Sequence, residues 1–184
     1  MESPLEHILT HSYKAEMISY LKAHPEDFNE AIKLAISDKQ PYSWRAAWLL
    51  WSCMDDNDPR LHRYLKKIID TLPVTSDSQL RELLLILQRM ELKDDYTGKL
   101  FNICVSVWEK LGKQPSVRIN AFKLIVKIAK KHPELSDEII YLTQFHYLDT
   151  LSNAVKKSVF KMLDDLKPNR FLEKSKIISL QISF

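Results

Sequence analysis

Glycine and cysteine are scarce in this chain of 184 residues, which contains two of each. Phosphate-binding loops, dinucleotide-binding fingerprints and nucleophile elbows all require glycines at fixed spacing, and Gly98 and Gly112 cannot supply any of them. Cys53 and Cys104 are far apart and have no second cysteine nearby, so we expect reduced core thiols rather than a disulfide or a zinc site. These shortages argue against nucleotide-dependent chemistry and against a disulfide-stabilised fold.

Long hydrophobic runs are missing as well. No apolar stretch approaches the roughly 18 residues that a membrane span requires, and the N-terminus lacks the basic start and apolar stretch of a secretory signal. An apolar content of 45% with a charged content of 28% instead indicates a folded globular domain. We therefore expect a soluble cytoplasmic protein without a membrane segment.

The residue patterns do not indicate catalysis. His7 and His11 lie four residues apart on a predicted helix, a spacing that can hold a metal, but no third ligand is evident. Adjacent acids at helix ends, such as Asp55 and Asp56, do not converge for acid–base chemistry. The sequence thus predicts no enzyme activity, no cofactor and no metal.

Proline, in contrast, is regularly placed. The eight prolines fall between apolar-periodic segments and never inside one, and proline is tolerated in the first turn of a helix but breaks its interior. The segments between them have apolar residues at helical spacing. We predict about ten helices, near residues 4–22, 26–37, 43–54, 59–72, 76–91, 95–111, 116–131, 134–147, 153–166 and 169–180. Only the tail at 178–184 alternates like a strand.

A repeat runs through the chain. A cation recurs near the start of four predicted helices at intervals of 36, 37 and 38 residues, and each of these helices follows another amphipathic helix. The four positions are Arg45, Arg81, Arg118 and Lys156. A period of this size with two helices per unit is typical of an α-solenoid.

The best copy of the repeat, Pro115-Ser-Val117-Arg118-Ile-Asn-Ala121-Phe-Lys-Leu124, resembles the second helix of a HEAT repeat. The chain thus resembles the HEAT/armadillo-like family over about residues 26–166. The resemblance implies a single all-α domain over residues 1–184, a right-handed α-α superhelix (α-solenoid) of about four HEAT-like helix pairs, with an N-terminal half-repeat and a C-terminal capping helix. The pairs would span residues 26–54, 59–91, 95–131 and 134–166, followed by a cap or tail at 169–184. It also implies that the four recurring cations, Arg45, Arg81, Arg118 and Lys156, link neighbouring repeats.

In a solenoid of this kind the second helices line the concave face, the usual binding surface. On a helical wheel, lysines lie opposite the apolar arc in the third and fourth repeats, whereas the same stripe is apolar in the first two. The lysines are Lys123, Lys127, Lys130 and Lys161, and the apolar residues are Leu50, Met54, Leu83, Ile86 and Met90. Net charge changes in the same direction, from −3 over residues 1–92 to +6 over residues 93–184.

These features predict a noncatalytic interaction or scaffold module that binds a protein partner with apolar and acidic features. The apolar residues would be anchors and the lysines an electrostatic clamp. Two plainer alternatives stay open: the lysines form a solvated face, or the first helix or the tail covers the apolar stripe. Nucleic-acid binding, including activity like that of HEAT-like alkylpurine DNA glycosylases, is the alternative function. Stacking on a base needs exposed rings, and Trp44, Trp48 and Trp51 are predicted to be core.

Overall fold

The structure, a computed structural model, describes residues 2–166. This part of the chain contains eleven α-helices, four short 3-10 helices and no strand, which confirms the all-α prediction. The predicted cap and tail at 169–184 lie outside the described residues. The chain forms two compact units, residues 1–99 and residues 100–184.

The first unit is built around one central helix. Its helices are α1 (Pro4–His11), α2 (Lys14–Ala23), α3 (Phe28–Ala35), α4 (Tyr42–Cys53), α5 (Leu65–Thr71), α6 (Asp77–Arg89) and the beginning of α7 (Asp94–Glu109), with 3-10 turns at Pro25–Asp27, Pro59–Tyr64 and Leu72–Val74. Helix α4 packs against α1, α2, α3 and α6. It therefore lies at the centre of the unit, and most of its surface is covered by other helices.

The second unit has α8 at its centre. After the remainder of α7 follow α8 (Pro115–Ala129), a 3-10 turn (Pro133–Leu135), α9 (Ser136–Tyr141), α10 (Phe145–Leu148) and α11 (Asn153–Asp164). Helix α8 packs against α9 and α11. Ten of its fifteen residues are buried, so that only a narrow strip of its surface is left open.

Three of the predicted helices are interrupted. The segment 4–22 is two helices, because Ser12 and Tyr13 have extended backbone and the Tyr13 amide donates to the Glu16 carboxylate over 2.9 Å. The segment 59–72 begins as a 3-10 turn, and the segment 134–147 breaks between α9 and α10. Apolar periodicity continues across such breaks, since a short turn keeps the same side of the chain towards the core.

Several helix ends in the described residues receive hydrogen bonds from side chains of other helices. The last four carbonyls of a helix lack intrahelical donors, and a glycine in the left-handed conformation often supplies the missing contacts. Within residues 2–166 no glycine has positive φ. Instead, Gln79 on α6 donates to the carbonyl of Ala35, the last residue of α3, and to that of Ser37, which follows α3, each over 2.8 Å. Arg45 on α4 likewise donates to the carbonyl of Leu9 near the end of α1.

Arg118 closes two helix ends in the second unit. Its guanidinium donates to the carbonyl of Trp108 on α7 over 2.8 Å, to that of Tyr147 on α10 over 2.6 Å, and to the Thr150 hydroxyl over 2.8 Å. The side chain is completely buried and stacks on the Trp108 ring at 4.8 Å. Burial lowers the pKa of Arg118, but an arginine stays charged at any physiological pH. Arg118 therefore ties α7, α8 and α10 together.

Replacing Arg118 should strongly destabilise the fold. Arg118→Met fills a similar volume but leaves two buried carbonyls without donors, and each unpaired buried group costs about 1–3 kcal/mol. We expect the free energy of unfolding in urea to fall by at least about 3 kcal/mol. Arg63→Met is the control, because Arg63 is exposed and donates to the exposed side chain of Asn29 over 2.7 Å, and it should cost less than about 1 kcal/mol. Equal losses in both variants would contradict this role of Arg118.

A buried carboxylate makes stability depend on pH. Asp58, which is 1% exposed, accepts hydrogen bonds from Nε and Nη2 of Arg60 at 2.9 and 2.6 Å and from the Arg60 amide. The Arg60 guanidinium holds the pKa of Asp58 below its ordinary value of 3.8. Because the folded pKa is lower than the unfolded one, this stabilisation is present above about pH 5 and is lost as pH falls through the folded pKa.

Urea titrations at a series of pH values measure this contribution. We expect the free energy of unfolding of the native chain to decrease below about pH 4, and Asp58→Asn to be less stable at pH 7 with a flatter dependence on pH. The control is Asp55→Asn, since the Asp55 side chain is exposed. An unchanged acid slope in Asp58→Asn would show that other carboxylates dominate.

Candidate interaction surfaces

The five predicted apolar anchors are buried. Leu50 is 1% exposed, Met54 is 3% exposed, and the remaining three are fully buried. These three are Leu83, Ile86 and Met90. The prediction that all five form an open stripe is therefore wrong for this structure, in which α4 and α6 pack on each other and α4 also packs on α1, α2 and α3. The five residues are thus covered within the fold, whereas the tail that was the other expected cover lies outside the described residues.

The error is about one helical position. The part of α4 that stays partly open carries Trp44, Trp48 and Trp51, and the corresponding part of α6 carries Arg81 and Leu85. A shift of one residue rotates a position by about 100° around the helix. The helices are aligned in the sequence on the recurring cation, and the surroundings of this cation differ from helix to helix. The positions predicted to be open are therefore buried residues adjacent to the positions that are open.

The four recurring cations do not share one environment. Arg45 and Arg118 contact carbonyls of other helices, as a linking role requires. Arg81 pairs with Glu82, the next residue of its own helix. Lys156 is half-buried on α11, and a linking role for it stays a prediction.

The predicted lysines form an open strip in the second unit. On α8 the residues that are not buried are Pro115, Ser116, Ile119, Lys123 and Lys127, and the exposed Lys130 follows at the end of the helix. On α11, which packs against α8, the side chains of Lys157 and Lys161 are exposed. These five lysines lie on or at the end of two helices that pack against each other, and they are here called the lysine ridge: Lys123, Lys127, Lys130, Lys157 and Lys161.

The tryptophans divide into two groups. Trp108 is fully buried and donates its indole N–H to the carbonyl of Leu142 over 2.7 Å, as expected of a core residue. Trp44, Trp48 and Trp51 are only partly buried, so the prediction that they belong to the core is wrong. Trp51 is held by a hydrogen bond to Glu82, whereas the other two line a pocket.

This pocket, here called the tryptophan pocket, has a volume of about 230 Å³ and lies where the α1–α2 junction meets α4. It is lined by Ser12, Tyr13, Lys14, Met17, Trp44, Arg45 and Trp48. The Lys14 ammonium is 5.3 Å from the centre of the Trp48 ring, and the Arg45 guanidinium is 5.2 Å from that of Trp44. The sequence does not reveal this pocket, because residues 4–22 have the pattern of one helix and the extended Ser12–Tyr13 segment at the pocket edge is not apparent from it.

A larger and more polar cavity of about 620 Å³ lies beside the start of α6. Its polar lining is used within the fold: Asp70 accepts a hydrogen bond from Lys99 over 2.6 Å, and Gln79 contacts the carbonyls that follow α3. This cavity therefore offers fewer open donors and acceptors to a ligand than its size suggests.

Groups suited to catalysis or metal binding are few in the described residues. Burial raises the pKa of both thiols, Cys53 and Cys104, which disfavours the thiolate that a nucleophilic cysteine needs. Glu2 comes near His7 and His11, with ligand atoms within 4.8 Å of one another, a proximity that the sequence did not reveal. All three side chains are exposed. Contacts to Tyr42 and Thr10 already account for the positions of Glu2 and His11.

Within residues 2–166, none of the helices is long and apolar enough to cross a membrane. The helices are paired, the pattern of the second helix recurs, and α4 and α8 are covered on several sides. These features define an all-α helical-repeat protein. The family model of the HEAT repeat domain matches residues 1–166, and the chain belongs to this family. Neither the curated proteins nor the solved structures compared with it include a match.

Two neighbouring leucine/isoleucine positions test the corrected register of α6. Ile86→Asp places a charge in a fully buried position and should cost more than about 4 kcal/mol of unfolding free energy, enough to unfold many domains of this size. Leu85→Asp changes a partly open position and should cost about 1 kcal/mol. Circular dichroism during thermal unfolding distinguishes the two variants. A folded Ile86→Asp variant would contradict the burial of this side chain.

Proposed function

We propose that this HEAT repeat domain is a noncatalytic interaction module that binds an acidic segment of a protein partner on the lysine ridge. The observation that carries the proposal is the composition of the open strip of α8. Where the helix is not buried, its larger side chains beyond Ile119 are lysines. The membership in the HEAT repeat family supports a scaffold type of function, and the reduced thiols support a cytoplasmic location.

The charge around the ridge favours an acidic ligand. Residues 100–184 contain 14 Lys and Arg against 8 Asp and Glu, and no carboxylate occurs between Lys110 and Lys131 in the sequence. Lys123 on α8 and Lys161 on α11 are 38 positions apart, which is also the spacing between the recurring cations of these two helices. Neighbouring helices therefore repeat the same positive charge, and a carboxylate-bearing segment lying across both would be attracted to each.

Lysine is suited to this kind of clamp. Its ammonium is a flexible point charge that contacts carboxylates without a fixed geometry, whereas base recognition in nucleic acids commonly uses the planar fork of arginine. The described part of the second unit contains one arginine, Arg118, and it is buried. The lysine ridge thus lacks a side chain for reading bases, which favours a protein over a sequence-specific nucleic acid as the ligand.

Fluorescence polarisation with purified probes tests the proposal. The probes are a labelled peptide of alternating Glu and Leu, the matching peptide of Gln and Leu, and a short DNA duplex. We expect the acidic peptide to bind more tightly than the other two, with an affinity that decreases as salt increases. Lys123→Glu combined with Lys161→Glu should weaken this binding about tenfold, which corresponds to about 1.4 kcal/mol.

The control variant is Lys33→Glu combined with Lys66→Glu, which makes the same change of charge at two exposed lysines of the first unit. It should bind the acidic peptide within about twofold of the native chain. Equal weakening in both variants would mean that net charge, not the lysine ridge, causes the binding. Tighter binding of the duplex than of the acidic peptide would replace the proposal with nucleic-acid binding.

A further inference from the structure

The tryptophan pocket of the first unit is the strongest unexplained feature of the described residues. We propose that it binds an aromatic side chain that is followed by an acidic residue in a protein segment. This goes beyond the proposed function, because the lysine ridge belongs to the other unit and neither surface supplies a residue to the other.

The walls of the pocket select a flat apolar group. Trp44 and Trp48 are one helical turn apart on α4, and the buried thioether of Met17 on α2 also lines the space. Aromatic pairs and sulfur–ring contacts are favourable beyond the area that they bury. A volume of about 230 Å³ is sufficient for one ring and too small for an extended apolar ligand. A single aromatic side chain fits this space.

The charges at the pocket select the neighbour of that ring. The Lys14 ammonium lies within 6 Å of the Trp48 ring centre and the Arg45 guanidinium within 6 Å of that of Trp44, so each indole already has a cation over one of its faces. A cationic ligand would be repelled by these two groups, and a carboxylate beside the bound ring would be attracted to them. Arg45 is also held in place by the carbonyl of Leu9, which reduces the entropy that it loses when it pairs with a ligand.

The composition of the pocket resembles the centre of a protein interface. Tryptophan, tyrosine and arginine are the residues most often found at binding hot spots, and all three types meet here. Tyr13 lies at the edge of the pocket and is 84% exposed. A partner that covers the pocket would bury this ring.

Net charge favours a protein segment over a nucleic acid. Residues 1–99 carry 13 Lys and Arg against 16 Asp and Glu, so the unit as a whole repels a long polyanion. One or two carboxylates placed next to Lys14 and Arg45 experience mainly the local positive charge, since more distant charges are screened beyond about 10 Å. A short acidic motif therefore complements the charge of the pocket without requiring a basic surface around it.

The indole N–H signals of the full-length, nitrogen-15-labelled protein are the readout. Unlabelled acetyl-Phe-Glu-Glu-amide is titrated to millimolar concentration and compared with acetyl-Phe-Gln-Gln-amide, acetyl-Ala-Glu-Glu-amide and a thymidine tetranucleotide. We expect the signals of Trp44 and Trp48 to shift with the first peptide. Those of Trp51 and Trp108, whose N–H groups donate to Glu82 and Leu142, should stay in place. The alanine peptide, which lacks the ring, should bind about tenfold more weakly than acetyl-Phe-Glu-Glu-amide. The glutamine peptide, which lacks the charges, should bind about threefold more weakly.

Two variants on α2 separate the pocket from general electrostatics. Lys14→Glu should weaken binding of acetyl-Phe-Glu-Glu-amide about tenfold, because it reverses one of the two local charges. Lys22→Glu makes the same change at an exposed position of the same helix outside the pocket and should leave the affinity unchanged. The Lys123→Glu and Lys161→Glu variant should also leave it unchanged, so that a failure of the lysine ridge and a failure of this pocket are distinguishable.

Several outcomes would overturn the inference. The glutamine peptide or the alanine peptide could bind as tightly as acetyl-Phe-Glu-Glu-amide, which would remove the requirement for charge or for a ring. Tighter binding of the thymidine tetranucleotide would identify a base-stacking site instead. Equal shifts of all four indoles, or no shift of Trp44 and Trp48 at millimolar peptide, would show that the pocket does not bind this motif.

Discussion

The closure of helix ends by side chains from other helices is the interaction on which the remaining structure depends. A chain with two glycines cannot finish its helices with left-handed glycine caps, yet buried carbonyls must have donors. Gln79, Arg45 and Arg118 supply them from the second helix of a pair. Arg89 on α6 does the same for the carbonyl of Trp51, at 2.9 Å. Each of these bonds fixes both the position and the rotation of a helix relative to its neighbour.

Fixed rotation explains where function is available. Once α4 and α8 are held on several sides, the side chains that stay partly open decide what each surface can bind. On α4 they include three tryptophans, and on α8 they include two lysines. The same helical framework thus presents two chemically different surfaces without any change in how the helices are held.

The sequence predicted the framework better than the surfaces. Proline positions and helical periodicity correctly indicated an all-α chain, and the best copy of the repeat around Arg118 identified its family. The open positions were harder, because a period near 37 residues contains turns of different length and the register of each helix shifts accordingly. Lys123 and Lys161 were still recognised, since a lysine stays at the surface in almost any register. Leu50 and Ile86 were misplaced, because apolar residues give no such signal.

Aromatic residues present a related difficulty. A tryptophan is large enough to be partly buried and partly open at once, so its helical spacing does not reveal which side of the ring is covered. Trp108 and Trp48 look alike in the sequence, but only Trp108 has its ring completely enclosed. Trp48 lines a pocket whose edge includes the extended Ser12–Tyr13 segment.

Closure by neighbouring side chains also limits how a protein of this kind can change its length. A repeat whose helices carry their own glycine caps could be inserted or deleted as an independent unit, because its helix ends need no donors from the next repeat. Here the end of α3 is completed by Gln79, which lies 44 positions beyond Ala35, so removing the helix pair that contains α6 would expose backbone groups in the pair before it. Gain or loss of repeats in this lineage therefore requires matched changes on both sides of each junction.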